Sequence, residues 1–221
     1  MRYHFRDHDL SEQIGVSAWY WWADVRVPHQ DVLFVEPGRH IRPVPAVKYR
    51  GIFLSDEAPA LTGWVNEKSG GFNSKFYVHV FELLLCLKAN YLWPAIWNSA
   101  FAANDPPNPK LAGGYGIVMG TSREEPMMRA EKKWTRNDGR WDYATTADRI
   151  DDFWRTGMEH DNNYEEIATL GIRGVNDTPM SAAGNTELLE KIVADQRQIL
   201  KETLNGELDR VPQVFEISLS N

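Results

Sequence analysis

Residues 76–96 read FYVHVFELLLCLKANYLWPAI, and the change of period inside this stretch decides the fold. From Phe76 to Lys88 the apolar residues Phe76, Val80, Leu84 and Leu87 recur three or four positions apart, the spacing of a helix with one buried face. From Asn90 to Ile96 the pattern becomes a short apolar run of the kind that forms a strand. Working outward, Lys48–Leu54 reads as an earlier strand. Tyr115–Met119, Ile167–Ile172 and Pro212–Ile217 read as later ones. Helices are expected between them: Glu125–Trp134, then Ala147–His160 with Ile150, Phe153, Trp154 and Met158 aligned. A longer helix capped by Asn185 runs to Glu202, with Leu188, Leu189, Ile192, Val193, Ile199 and Leu200 inward. Strands separated by helices imply parallel βαβ units. A doubly wound sheet and a (β/α)8 barrel both satisfy that pattern. No Gly-x-Gly-x-x-Gly follows any strand and no Walker loop is present, which favours the barrel. A complete barrel takes about 250 residues, whereas residues 46–221 hold about four to five βα units. The fold class expected is therefore α/β, an incomplete (β/α)8 TIM-type barrel.

Residues 37–45 carry Pro37, Gly38, Pro43 and Pro45, a composition suited to a linker rather than a helix or a central strand. Before them lie a short helix, Leu10–Val16, closed by Gly15, and the aromatic run Trp19-Tyr20-Trp21-Trp22. So few residues do not bury such a run alone. Residues 1–45 are accordingly read as the tail and linker of an N-terminal α/β domain, and residues 46–221 as the first part of the barrel. Net charge is −7 with no block of lysine or arginine, which argues against nucleic acid and anionic membrane as partners. No apolar run is long enough for a membrane span, and MRYHFRDHDL is too charged for a signal peptide. Cys86, the single cysteine, sits in an apolar helix and reads as a buried packing residue. The six histidines show no metal spacing, and His79, inside a helix, reads as structural. No metal or cofactor is expected.

In a barrel the chemistry sits at the C-terminal ends of the strands. Ser55-Asp56-Glu57 follows the first, and its two carboxylates suit sugar hydroxyls or an oriented water. The competing reading has Asp56 capping a turn while Glu57 faces solvent. Trp93 and Trp97 follow the second strand, either as sugar platforms or as packing under a loop. After the third, Ser122 and Glu125 have the spacing of a capping box, and Glu125 also suits a site loop. After the fourth come Arg173, able to hold a carboxylate in bidentate fashion, and Asp177, a candidate base; an internal Arg173–Asp177 ion pair is the alternative.

These phrases resemble one family in order and context. Val47 to Pro59, Asn90 to Trp97, Met119-Gly120-Thr121-Ser122 with Glu125-Pro126-Met127, and Gly171-Ile172-Arg173-Gly174 are similar to motifs of glycoside hydrolase family 115. Leu10 to Ser17 with Trp19 to Asp24 resembles the end of that family's N-terminal domain, and the wording is nearest to fungal members. The resemblance implies a xylan α-1,2-glucuronidase that releases glucuronic acid or its 4-O-methyl ether with inversion and without a redox cofactor. It implies glucuronoxylan or its oligosaccharides as the partner and secretion of the full-length form, and it leaves a homodimer open. It implies Asp177 as a catalytic carboxylate, Arg173 as the uronate-binding residue, and Asp56, Glu57, Trp93, Trp97 and Glu125 as pocket lining.

Three departures stand out: Val175 where the family carries a carboxylate, Arg123 where it carries a histidine, and Ser220 where a glutamate serving as general acid is expected. Glu216, inside the expected fifth strand, is no substitute for that glutamate. The sequence thus points to a piece of such an enzyme with little activity of its own, an acid–base group contributing about 10²–10⁴-fold. The competing function is a non-catalytic glucuronoxylan-binding remnant. A generic sugar-phosphate protein would need a phosphate-binding glycine loop, which is missing.

Overall fold

The computed structural model describes residues 4–39, 41, 43–96, 99–122, 124–161, 164–175, 178 and 186–215. Five strands, β1 (Gly51–Phe53), β2 (Tyr91–Trp93), β3 (Val118–Gly120), β4 (Glu166–Leu170) and β5 (Gln213–Phe215), form one sheet in the order β1-β2-β3-β4-β5. Every neighbouring pair is parallel. A doubly wound sheet reverses its strand order at a switch point, whereas a barrel adds each strand beside the last. The uninterrupted order is that of the barrel.

Register sorts the two faces. Leu92 pairs with Met119, and Ala168 and Leu170 lie on the same side of β4 as the residue opposite Met119. These four side chains enter the two clusters built with the helices, so this face is the outer one. Tyr91, Trp93, Gly120 and Thr169 alternate with them and face the barrel interior. The first cluster is dominated by α3 (Ser74–Cys86), whose Phe76, Val80 and Leu84 are buried as the periodicity predicts. Asn73 starts it, its side-chain oxygen accepting from the amides of Lys75 at 3.0 Å and Phe76 at 3.4 Å. Leu87 does not join the buried face. The helix has ended at Cys86, Lys88 turns to φ 62°, and Leu87 is 46% exposed.

Other expectations need correction. Tyr115 is the last residue of a helix, not the first of a strand. The numbering of the helices is α1 (His4–Gln13), α2 (Ala60–Ser69), α3, α4 (Phe101–Asn104), α5 (Pro107–Tyr115), α6 (Tyr143–Asp161) and α7 (Thr186–Thr203). The signals for α5 are proline at its start and Gly116 at φ 67° at its end. β1 is shorter than Lys48–Leu54 because the Asn90 side chain takes its early backbone groups: the Arg50 amide donates to Asn90 Oδ1 at 2.9 Å, and Asn90 Nδ2 donates to the Lys48 carbonyl at 3.0 Å. β2 and β4 are also shorter than their apolar runs, which continue into the loops.

The expected helix Glu125–Trp134 does not form. The chain makes 3₁₀ turns at Pro126–Met128, Glu131–Lys133 and Arg136–Asp138 instead. Met127 and Met128 adopt φ 57° and 59°, which no α-helix accommodates, and Met127 is fully buried with Trp154 and Met158 of α6 and Leu170 of β4. Burial of Met127 outweighs the local helix preference. Gly157 of α6 makes room for it: a Cβ there would lie 2.5 Å from the Met127 carbonyl oxygen.

The N-terminal segment docks on the outer layer. Lys88 pairs with Asp9 at 2.6 Å and Glu12 at 3.4 Å, and the Tyr20 hydroxyl donates to Glu82 at 3.1 Å. Trp21 stacks on His79 with centroids 3.8 Å apart, and Trp22 packs against Trp64 and Phe76. His79 is thus a packing residue. Cys86 is only partly buried, its Sγ 3.2 Å from His8 Nδ1, and burial is the first cause of a thiol pKa above its ordinary value. Asn185 lies outside the described residues; α7 begins at Thr186.

Candidate active site

Because all five strands are parallel, their C-terminal ends lie on one rim, where the segments after Phe53, Trp93, Gly120 and Leu170 emerge. That rim holds Asp56, Glu57, Glu125 and Arg173. Trp93, the last residue of β2, stands on the inner face just below it. Trp97 and Asp177, together with Arg123 and residues 216–221, lie outside the described residues.

The two neighbouring carboxylates after β1 separate. Asp56 is 1% exposed, and its Oδ1 accepts from the Ile96 amide at 3.1 Å. Its carbonyl accepts from the Thr62 hydroxyl. Asp56 therefore ties the β1 loop to the β2 loop, while Glu57 is exposed on the rim. Tyr77 of α3 fastens the adjacent residue, its phenol oxygen accepting from the Ala95 amide at 3.3 Å. Burial raises the Tyr77 pKa, and the charges of Glu125 and Asp56 raise it further, so the phenol keeps its proton.

Trp93 is half-buried. Its indole N–H donates to the Tyr91 hydroxyl, and Phe53 packs edge-on at 5.9 Å. Gly120 leaves space for this pair, since a Cβ there would lie 2.7 Å from Trp93 Nε1. The inner face from β1 to β3 is consequently an aromatic patch of Phe53, Tyr91 and Trp93.

Glu125 is 4% exposed, and its amide bonds the Ser122 carbonyl at 2.9 Å. The Thr121 hydroxyl donates to the Glu125 carbonyl at 2.6 Å. Ser122 Oγ accepts from the Glu124 amide at 3.3 Å, so the capping geometry survives only as a single turn. Glu125 also lines a cleft of about 360 Å³ between the α4–α5 pair and α6, with Phe101, Arg129 and Lys133, and is the single carboxylate among its described lining. Lys132 lies within electrostatic reach of both buried carboxylates. Desolvation lowers its pKa, and the charges of Asp56, Glu124, Glu125 and Glu131 oppose that shift.

Arg173 follows a turn held at three points. Gln196 of α7, fully buried, accepts from the Gly171 amide at 2.8 Å and donates to the Gly171 carbonyl at 2.8 Å. The Trp141 indole donates to the Arg173 carbonyl at 2.8 Å. The Gly174 amide donates to the Thr178 carbonyl at 2.8 Å.

Tyr77, Lys132, Trp141 and Gln196 were not singled out from the sequence. Tyr77 and Trp141 look like core residues. Gln196 did leave a signal, being a polar residue among Ile192, Ile199 and Leu200 on the buried face of α7. No cluster able to hold a metal occurs among the described residues.

A singly wound parallel sheet with carboxylates, an arginine and an aromatic inner face at one rim is a layout on which glycosidase sites are built. The profile of glycosyl hydrolase family 115 matches residues 43–218. The chain belongs to glycosyl hydrolase family 115. Among solved structures it is similar to a family GH115 4-O-methyl-α-glucuronidase, BtGH115A, described as having specificity for decorated arabinogalactans. The identity is 34% and the TM-score 0.83, over 95% of this chain and 29% of that one. No curated protein sequence matches the chain. No helix among the described residues is long and apolar enough to cross a membrane.

Proposed function

We propose that this chain contributes part of the sugar-binding rim of an inverting, secreted xylan α-1,2-(4-O-methyl)glucuronidase. The observation that supports this reading is the all-parallel strand order, by which Glu57, Glu125 and Arg173 follow the C-terminal ends of β1, β3 and β4, in a chain of this family. A uronic acid brings a planar carboxylate, which an arginine side chain can grip through two parallel N–H···O bonds. Arg173 is the residue for that role. The sugar ring offers hydroxyls to Glu57 and an apolar face to Trp93 and Trp97. Asp56 acts by holding the β2 loop, and Glu125 by supplying charge beside it. Inversion needs one carboxylic acid to protonate the leaving oxygen and one carboxylate to activate water on the opposite face. Asp177 is assigned to one of these tasks.

A second reading concerns the polymer. The similarity to an enzyme described as specific for decorated arabinogalactans makes an arabinogalactan the competing substrate. The test is release of 4-O-methylglucuronic acid from glucuronoxylan and from decorated arabinogalactan by the purified chain, beside an Asp177→Ala variant. Little or no release by the chain alone is the expected result, and release from xylan that disappears in the variant would show the site to be complete without the glutamate expected at Ser220. Release from arabinogalactan alone would replace the substrate. Binding without release would make the chain a non-catalytic binder, and neither binding nor release would overturn the reading.

A further inference from the structure

We infer that Gln196, which stands on α7 behind the sheet, is a positioning residue for Arg173 and so for recognition of the uronate carboxylate. The inference rests on the assignment of Arg173 above. Gln196 is 0% exposed, and both halves of its amide are spent on the two polar groups of Gly171 at 2.8 Å each. This pairing copies the bonds that a neighbouring strand would make, at the point where β4 stops. Gly171 has φ 114°, a conformation that side-chain-bearing residues rarely adopt, so the chain leaves the sheet there in a fixed direction. Two residues later, Trp141, 7% exposed, holds the Arg173 carbonyl at 2.8 Å. The backbone that aims Arg173 is thus anchored on both sides by buried donors and acceptors.

The alignment of Gln196 is itself set by its neighbour. Asp195 accepts from the Tyr143 hydroxyl at 2.7 Å and pairs with Lys191 at 2.5 Å, which fixes the rotation of α7 against α6. A bidentate grip on a carboxylate tolerates little angular error, and loss of the clamp frees the turn to move. A core glutamine with no such role could be exchanged for an isosteric apolar residue without consequence at the rim.

The test combines two readouts on the whole chain: titration with glucuronic acid, and the ¹⁵N–¹H signal of the Arg173 Nε group, assigned with Arg173→Lys. Gln196→Met keeps shape and removes the clamp. It is expected to shift or broaden the Arg173 signal and to weaken glucuronic acid by roughly tenfold to a hundredfold. Gln196→Glu is the conservative rescue. Its carboxylic acid can accept from the Gly171 amide and donate to the carbonyl as the amide does, while burial favours the neutral form. It should match the native protein at about pH 5 and Gln196→Met at about pH 8, each compared with the native protein at that pH. Trp141→Phe, which frees only the Arg173 carbonyl, should act in the same direction more weakly.

An Arg173 signal unchanged in Gln196→Met overturns the inference whether or not sugar binds. Native-like glucuronic acid affinity in that variant also overturns it. An Arg173 signal that responds in a protein that binds no glucuronic acid leaves the clamp standing and overturns the assignment of Arg173 instead.

Discussion

Tyr143→Phe tests the physical reasoning most directly. Tyr143 is 1% exposed and stacks on Trp154 with centroids 5.6 Å apart, packing that a phenylalanine retains. Its hydroxyl lies 2.7 Å from Asp151 Oδ1 and 2.7 Å from Asp195 Oδ2. A phenol has one proton, which the two carboxylates share, and the hydrogen bond favours the ionised form of each. Burial, followed by the charge of Asp195, raises the pKa of Asp151 despite the opposing hydrogen bond from Tyr143. Asp195 is desolvated too, yet the hydrogen bonds from Lys191 and Tyr143 bring its pKa below the ordinary value.

Hydrogen bonds to charged groups contribute about 1.5–3 kcal/mol each, and both carboxyls here are only half-buried and can regain water. The expected loss at neutral pH is about 1–2 kcal/mol, a fall in Tm of about 2–8 °C for a chain of this size.

The pH dependence has a definite sign. Asp151, raised in the folded state, contributes stability that is complete below the ordinary carboxylate pKa and is lost as pH rises through its folded value. Asp195, lowered, contributes stability that is present above the ordinary value and is lost as pH falls through its folded value. The Tyr143 hydroxyl lowers both, so removing it raises both. The variant's folded state then binds protons more tightly, and its deficit should shrink as pH falls from about 7 to about 4.5. Urea denaturation across that range measures this. A deficit independent of pH, or one that grows in acid, would refute the shared-proton reasoning.

Asp56→Ala should destabilise by about 1.5–3 kcal/mol, because the Ile96 amide loses its acceptor. Glu57→Ala should change stability by less than about 0.5 kcal/mol and instead weaken glucuronic acid binding; equal stability losses for the two would remove the distinction between them. Asn73→Ala should cost about 1 kcal/mol in urea denaturation through loss of the α3 cap, and Asn73→Asp should retain most of it. Gly157→Ala should cost about 1–3 kcal/mol, since its Cβ meets the Met127 carbonyl, and a neutral result would show that the 126–128 turn is free to move.

The legible parts of the fold were those governed by period and capping. The buried stripe of α3, the alternation of strands and helices, and the inward Ile192, Ile199 and Leu200 of α7 all follow from local chemistry. The illegible parts were those in which a distant partner outweighs local preference. Glu125 to Trp134 has the composition of a helix, but Met127 finds a fully buried place between β4 and α6 that only a left-handed turn can reach. The Lys48–Arg50 segment has the composition of a strand, but Asn90 takes its backbone groups.

The candidate site divides in the same way. The sequence by itself determined which residue types stand after each strand and, through its motifs, the family to which they belong. It could not separate Asp56 from Glu57, because their difference is made by the Ile96 amide, forty residues away in the chain. Nor could it show that Gln196 and Trp141, on either side of Arg173 in sequence, close on one turn. Neighbours along the chain share a local preference that can be read. Hydrogen bonds between separate βα units exist only once the parallel sheet has brought their ends to the same rim.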